Sequence, residues 1–271
     1  MVNTKLMQAE LRLAGYSDRT TKAYLYNVEK FFEFIQKKPQ EVTQHDVKLY
    51  LTYLLDKGCK ERTVNLTISS VKFYFEQVMK RRLFSNIKRL KLPKDIPVVL
   101  SKEEIKAMIL NTRNSKHRLL IELLYSSGLR VSEAISIKTV DMDFNEKFAI
   151  IRGKGKKQRY VVLSEKFIID MNNYLKMRED ESIYLFNTRK GHYSIGTAQK
   201  IVKQAAKRAG IIKNVFCHAL RSSFATHLIE NKTGEGIVQK LLGHSRRETT
   251  RGYIKSSTLN LKDVTSPLDL L

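Results

Sequence analysis

Six side chains in this 271-residue sequence are of types suited to gripping and transforming a phosphodiester. Four lie in the run CHALRSSFATHLIENKTGEGIVQKLLGHSRRETTRGYI, residues 217–254: His218, Arg221, His244 and Tyr253. Two lie upstream, Arg130 in GLRVSE and Lys154 in RGKGKKQR. Cutting a nucleic-acid strand requires a nucleophile, an acceptor for its proton, charge stabilisation at phosphorus and an acid for the leaving oxygen. Few carboxylates accompany these segments, and no Asp/Glu cluster suits two-metal catalysis, so the sequence offers cations instead. Tyrosine is a sensible nucleophile for a reversible cut. An aryl phosphate retains the energy of the broken bond, so the released hydroxyl can reseal it without ATP. A phenol of pKa about 10 is ionised to roughly one part in a thousand at neutral pH, and cationic neighbours raise that fraction. Two arginines can donate to the non-bridging oxygens in the transition state, each positioned donor supplying roughly 3 kcal/mol. The six residues are therefore expected to form one site that cuts and rejoins DNA through Tyr253, with neither metal nor cofactor.

Each residue also has an ordinary reading. Tyr253 alone suits a core or surface position, Lys154 a solvated turn, and His227 a core or supporting role. Arg130 and Glu133 stand three apart, the spacing of a helical ion pair. The histidines lack His-x-x-x-His spacing and acidic co-ligands, which speaks against a metal centre. GKGK in residues 153–156 invites comparison with a phosphate-binding loop. It fails because the spacing is wrong and the segment joins strand to strand.

These residues need a scaffold, and the periodicity outlines one. Residues 1–90 read as helices near 3–14, from Ser17 or Asp18 to before Pro39, 44–57 and 61–79. Tyr24, Val28, Phe31, Phe32 and Ile35 mark one apolar face. Capping signals stand at Ser17 and at Thr43 with Asp46. The interleaved aromatics and cations of this half are read as core and polar faces respectively. Lys57, Lys60, Arg62, Asn65, Lys72, Arg81 and Arg82 are the candidates for contact with DNA. Residues 86–100 carry basic residues with Pro93 and Pro97 and read as extended. Ser101 with Glu104 opens a new domain as a capping box. An apolar helix then ends at Gly128, and Arg130 begins a short one. The helix dipole does not favour a cation at that end, so an anionic ligand is the better reason for it. KTVDMDF, KFAIIR and RYVVL read as strands, the last two a hairpin around GKGKKQ. Further helices are expected near 165–178, 195–209, 218–230 and 234–242, with a short one in RRETTRGYI.

Composition agrees with a partner of opposite charge. The net charge is +23. Residues 1–92 hold 18 Lys/Arg against 9 Asp/Glu, and residues 93–271 hold 32 against 18. Both halves are basic, so two surfaces facing one long polyanion are expected, not a charged tail. Cys59 and Cys217 make no disulfide framework. An apolar leader and a membrane-length stretch are both lacking, which makes the cytoplasm the expected location.

Taken together, GLRVSE, GKGKKQR, HALR, LLGH and the downstream Tyr253 resemble the tyrosine recombinase (phage integrase) family, most closely its Xer recombinases, the archaeal ones included. The order Arg–Lys–His-x-x-Arg–His–Tyr and its intervals match over essentially the whole chain. The resemblance implies a mainly α fold with a small antiparallel β-sheet. It also implies a two-domain, C-shaped clamp: a helical core-binding domain at 1–88, a linker at 89–100, an α+β catalytic domain at 101–258 and a docking tail at 259–271. It further implies that Tyr253 forms a 3′-phosphotyrosyl bond and frees a 5′-hydroxyl. Arg130 and Arg221 would grip the non-bridging oxygens, Lys154 would protonate the leaving oxygen, and His218 would serve as base or proton shuttle. His244 would bond a non-bridging oxygen and Glu133 would orient the site. Lys156 and Arg159 join the candidate DNA contacts. Ser222 departs from the pattern, because Xer proteins often carry His there. The implied partner is double-stranded DNA with paired inverted sites, bound by four subunits that each offer a tail to a neighbour. Chromosome dimer resolution is the favoured role. The alternatives are integration or excision of a mobile element, relaxation by a type IB topoisomerase, and a DNA-binding protein without catalysis.

Overall fold

The computed structural model describes residues 3–93, 97–152, 158–243 and 265–271. The chain divides into two compact units at residues 95 and 96.

The first unit is helical: α1 (Thr4–Leu13), α2 (Asp18–Ile35), α3 (Gln44–Asp56) and α4 (Glu61–Phe73), the last continuing into a π-helical turn at Tyr74–Val78. The Ser17 side chain accepts the Thr20 N–H, and Thr43 and Asp46 form a reciprocal capping box, so orphan amide groups are satisfied at both starts. Tyr24, Val28, Phe31 and Phe32 of α2 are buried, as are Val64, Ile68 and Val71 of α4. Phe31 meets Phe32, Tyr50 and Phe75 edge to face with centroids 5.1–6.2 Å apart, an arrangement that aromatic quadrupoles favour. The helix expected over 61–79 changes its winding at Tyr74, and the wider turn carries Tyr74 and Phe75 together into the core. Within the segment 89–100, Arg89 donates to Ser69 and Leu90 pairs with Asn65, whereas Leu100 is buried in the second unit.

The second unit is built around α6 (Ser115–Ser127), which follows the capped α5 (Lys102–Leu110). Every residue from Leu119 to Ser127 is buried, which explains why this segment reads as a continuous apolar run instead of a stripe. Gly128 ends α6 with a left-handed φ of +57°, and a Cβ there would lie 2.3 Å from the Phe224 ring. Gly128→Ala is therefore expected to lower the melting temperature by at least several degrees through strain and overpacking. An unchanged melt would refute that packing. Next come α7 (Val131–Ile135) and a three-stranded antiparallel sheet in the order β1 (Met142–Asp143), β2 (Phe148–Arg152), β3 (Gln158–Val162). The register pairs Ile150 with Tyr160 and Arg152 with Gln158, while Ala149, Ile151 and Val161 face the core. α8 (Glu165–Lys176) lies against α6. A two-stranded hairpin, β4 (Asn187–Thr188) with β5 (Gly191–His192), was not anticipated, since two-residue strands leave no periodicity to read. α9 (Ile195–Arg208), α10 (Cys217–Glu230) and α11 (Glu235–Leu242) complete the unit.

The segment expected to be offered to a neighbour is, over residues 265–271, seated on its own chain. Leu268 is buried, Ser266 donates to the Ser126 carbonyl, and the Asp269 carboxylate accepts the first two N–H groups of α8. No helix among the described residues is long and apolar enough to cross a membrane.

One buried carboxyl on α6 opposes this packing. Glu122 is fully buried, and no hydrogen bond among the described residues reaches either of its oxygens. Burial, reinforced by the neighbouring Asp170 carboxyl, pushes it up to about 8. The unfolded chain loses this proton near pH 4.5 and the folded chain only near 8. Between those values the folded state binds more protons, so stability falls as pH rises, by several kcal/mol across the window. Glu122→Gln is expected to leave the melting temperature little changed at pH 5 and to raise it at pH 8. Equal shifts at both pH values would contradict the assignment.

Candidate active site

Arg130, Glu133, His218 and Arg221 are brought together by three local devices. The turn after Gly128 places Arg130 at the start of α7, where it remains exposed. Three residues on, the Glu133 carboxylate turns back, accepting the Arg130 backbone N–H at 2.8 Å and its Nη1 at 3.0 Å. The first turn of α10 carries His218, and the next turn inward carries Arg221.

Arg221 is only 4% exposed. It donates from Nη1 to the Gly128 carbonyl and from Nη2 to the Leu242 carbonyl, both at 2.6 Å. Burial and the neighbouring Arg130 charge bring it down to about 10, still protonated at neutral pH. His218 is lowered from its ordinary value by burial, then by the charges of Arg221 and Arg130. It is thus neutral at pH 7 and able to accept a proton. His227 sits deeper, its Nδ1 2.8 Å from the Tyr125 hydroxyl, as a core histidine.

A guanidinium has five N–H donors. Among the described residues Arg130 and Arg221 each donate from two nitrogens, which leaves donors to offer an anion. Two cations beside a neutral imidazole can grip two phosphate oxygens and take up a proton.

Lys154, Lys156, His244 and Tyr253 lie outside the described residues, as does the expected helix in RRETTRGYI. Arg159, expected among the DNA contacts, is turned inward. Its Nη1 and Nη2 meet the two Glu133 oxygens at 2.8 and 2.7 Å, and its Nε donates to the Leu241 carbonyl. The sequence did carry a sign of this: Arg159 has the same strand parity as buried Val161, and it pairs with buried Ile151.

In the helical unit, Asn65 and Arg81 have side chains committed to the backbone. Asn65 exchanges two hydrogen bonds with Leu90, and Arg81 donates to the Pro39 and Val42 carbonyls. Lys57 lies over the Tyr53 ring and Lys72 stands 3.7 Å from Glu76. Lys60, Arg62 and Arg82 are exposed.

Comparison with known proteins places this geometry. The model of the phage integrase family matches residues 98–259, and that of the phage integrase N-terminal SAM-like domain matches residues 4–84. Tyrosine recombinase XerA of Pyrococcus horikoshii is 35% identical over 279 residues, which cover 100% of this chain and 96% of that protein. A crystal structure of a XerA recombinase is similar at a TM-score of 0.53 and 26% identity, covering 98% of this chain and 94% of the other. A XerH site-specific recombinase bound to its difH substrate in a pre-cleavage complex has a TM-score of 0.70 at 21% identity. That match covers 88% of this chain and 78% of the other, and is a likeness of fold.

Proposed function

The chain belongs to the phage integrase family and is a tyrosine site-specific recombinase, and from that premise we propose that it exchanges DNA strands at paired inverted sites through a covalent 3′-phosphotyrosyl intermediate. The observation that carries this reading is the convergence of Arg130, His218 and Arg221, with both guanidiniums keeping donors for an anion. In the proposed reaction the Tyr253 phenol oxygen attacks the scissile phosphorus, and the bond from phosphorus to the 5′-oxygen breaks. The phenol proton passes to His218, whose burial and cationic neighbours favour the neutral imidazole. Lys154 gives a proton to the departing 5′-oxygen. Arg130 and Arg221 hold the non-bridging oxygens as charge builds there, with His244 as a further donor. Reversal by a 5′-hydroxyl from the partner duplex restores the phosphodiester and the phenol, so the exchange requires no ATP.

Four subunits on two duplexes would perform the exchange, and chromosome dimer resolution is the role proposed for it. The basic character of both halves suits a long duplex held along both units.

The test uses nicked duplexes carrying paired inverted repeats of randomised sequence. The nick lets the cleaved end diffuse away, so a covalent adduct accumulates and survives denaturation. Recovered duplexes, placed as two copies on a plasmid, then report excision. Adducts followed by excision are expected. DNA binding without any adduct would overturn the enzymatic reading, and adducts with relaxation but no excision would overturn strand exchange.

A further inference from the structure

The last carbonyls of a helix have no intrahelical partner. In α11, three consecutive carbonyls at that end are taken by three different arginines. Leu241 O accepts from Arg159 Nε at 3.0 Å, Leu242 O from Arg221 Nη2 at 2.6 Å, and Gly243 O from Arg130 Nη2 at 3.2 Å. The negative end of the helix dipole favours such company. Arg130 and Arg221 belong to the site described above, but the third arginine has no part in the chemistry proposed there.

We propose that Arg159 is a positioning residue for strand cleavage: it neutralises Glu133, so that Arg130 keeps its charge for the phosphate, and it holds the end of α11 in place. The inference rests on the strand-cleaving reading above. Each Glu133 oxygen accepts two hydrogen bonds, one from Arg130 and one from Arg159. The Arg159 contact is a two-point fork in a poorly solvated place, with side chains 15% and 9% exposed, whereas Arg130 is 46% exposed. A carboxylate with one cation cancels it, and a carboxylate between two leaves a net positive charge. Removing Arg159 would leave Glu133 to Arg130 alone. The guanidinium would be drawn onto the carboxylate and its attraction for a phosphate halved or worse.

The same side chain ties β3 to α7 and to the end of α11. Arg159 stands on β3, the strand that continues from the Lys154 segment, and Glu133 stands on α7 beside Arg130. Leu241 lies three residues before His244. Packing is close: a Cβ on Gly243 would lie 3.0 Å from Arg159 Cδ. Charge follows geometry. Burial would raise the Glu133 carboxyl, but the Arg159 hydrogen bonds, with those and the charge of its neighbours, bring it down to about 2.

Four proteins test this on an adduct-forming duplex: the native chain, Arg159→Ala, Arg159→Lys and the double variant Arg159→Ala with Glu133→Gln. Single-turnover cleavage, DNA affinity and thermal melts are measured for each. Arg159→Ala is expected to cleave about 100-fold more slowly, the cost of a mispositioned reactive group, with DNA affinity nearly unchanged. Its rate should also rise as the pH falls, because Glu133 titrates at higher pH without its partner and its protonation frees Arg130 as the Gln substitution does. In the double variant the carboxylate that captures Arg130 is gone, and at least tenfold of the rate should return. Arg159→Lys keeps the charge and should retain more cleavage than Arg159→Ala, even if Arg159→Ala itself melts too low to assay.

A double variant as slow as Arg159→Ala, or Arg159→Lys as slow as Arg159→Ala, would overturn the electrostatic role. Arg159→Ala cleaving at the native rate would overturn the inference entirely. Absence of adduct from the native chain would instead sink the strand-cleaving reading itself.

Discussion

Tyr253→Phe is expected to yield no covalent DNA adduct, a loss of at least about 10⁴-fold if the proposed nucleophile is the right one. Duplex affinity is expected to stay within about twofold, since the proposed binding draws on phosphate neutralisation over the whole basic surface. The expectation is sharpened by the other tyrosines. Tyr24, Tyr50, Tyr74, Tyr125, Tyr174 and Tyr193 are all raised above the ordinary phenol value, with burial the largest cause in each case. Burial disfavours the phenolate and withholds the oxygen from a bulky phosphodiester. Tyr193, pushed up to about 12, lies in the second unit yet makes a poor nucleophile for that reason. Tyr253 is singled out by its place nine residues after His244 in a chain of this family. Denaturing gels with end-labelled nicked duplex read the result directly. An adduct that persists in Tyr253→Phe assigns the nucleophile elsewhere, and peptide mapping of the labelled fragment would find it.

What could be read from the sequence, and what could not, follows from how local each signal is. Ser17, Thr43 and Ser101 announce helix starts because a cap is made within three residues, and all three make those bonds. Arg130, His218 and Arg221 were legible as candidates for one site because their types and order are themselves the signal, and the structure brings them together. The partner of Arg159 was not, because Glu133 stands 26 residues away. An arginine just beyond a Lys-rich turn looks like one more cation for DNA. The intramolecular bonds of Asn65 and Arg81 were hidden in the same way, since the backbone groups they hold lie 25 to 42 residues distant. The π-helical turn at Tyr74 and the short β4–β5 hairpin arise from tertiary packing over so few residues that no repeat could disclose them.

Arg221→Lys is the substitution that most directly probes the link between that packing and the chemistry. Lysine keeps the charge, so a site needing only positive potential would tolerate it. The structure demands more. Arg221 bridges the carbonyls of Gly128 and Leu242, the ends of α6 and α11, while keeping N–H groups for a ligand. A single ammonium cannot span both carbonyls and also present a planar fork to two phosphate oxygens. One carbonyl is then left buried and unpaired, at a cost of about 1–3 kcal/mol. Cleavage should fall by about 10³-fold through the lost transition-state donor. The two effects separate by measurement. The melting temperature reports the carbonyl, and single-turnover cleavage at saturating protein reports the donor. Cleavage within tenfold of the native rate would mean that Arg221 acts on the fold alone. A large loss at a nearly unchanged melt would place its effect at the phosphate. Because Arg221, Arg130 and Arg159 share the end of α11, a shift in one should be felt by the others. Arg221→Lys combined with Arg159→Ala is therefore expected to lose less than the product of the single losses.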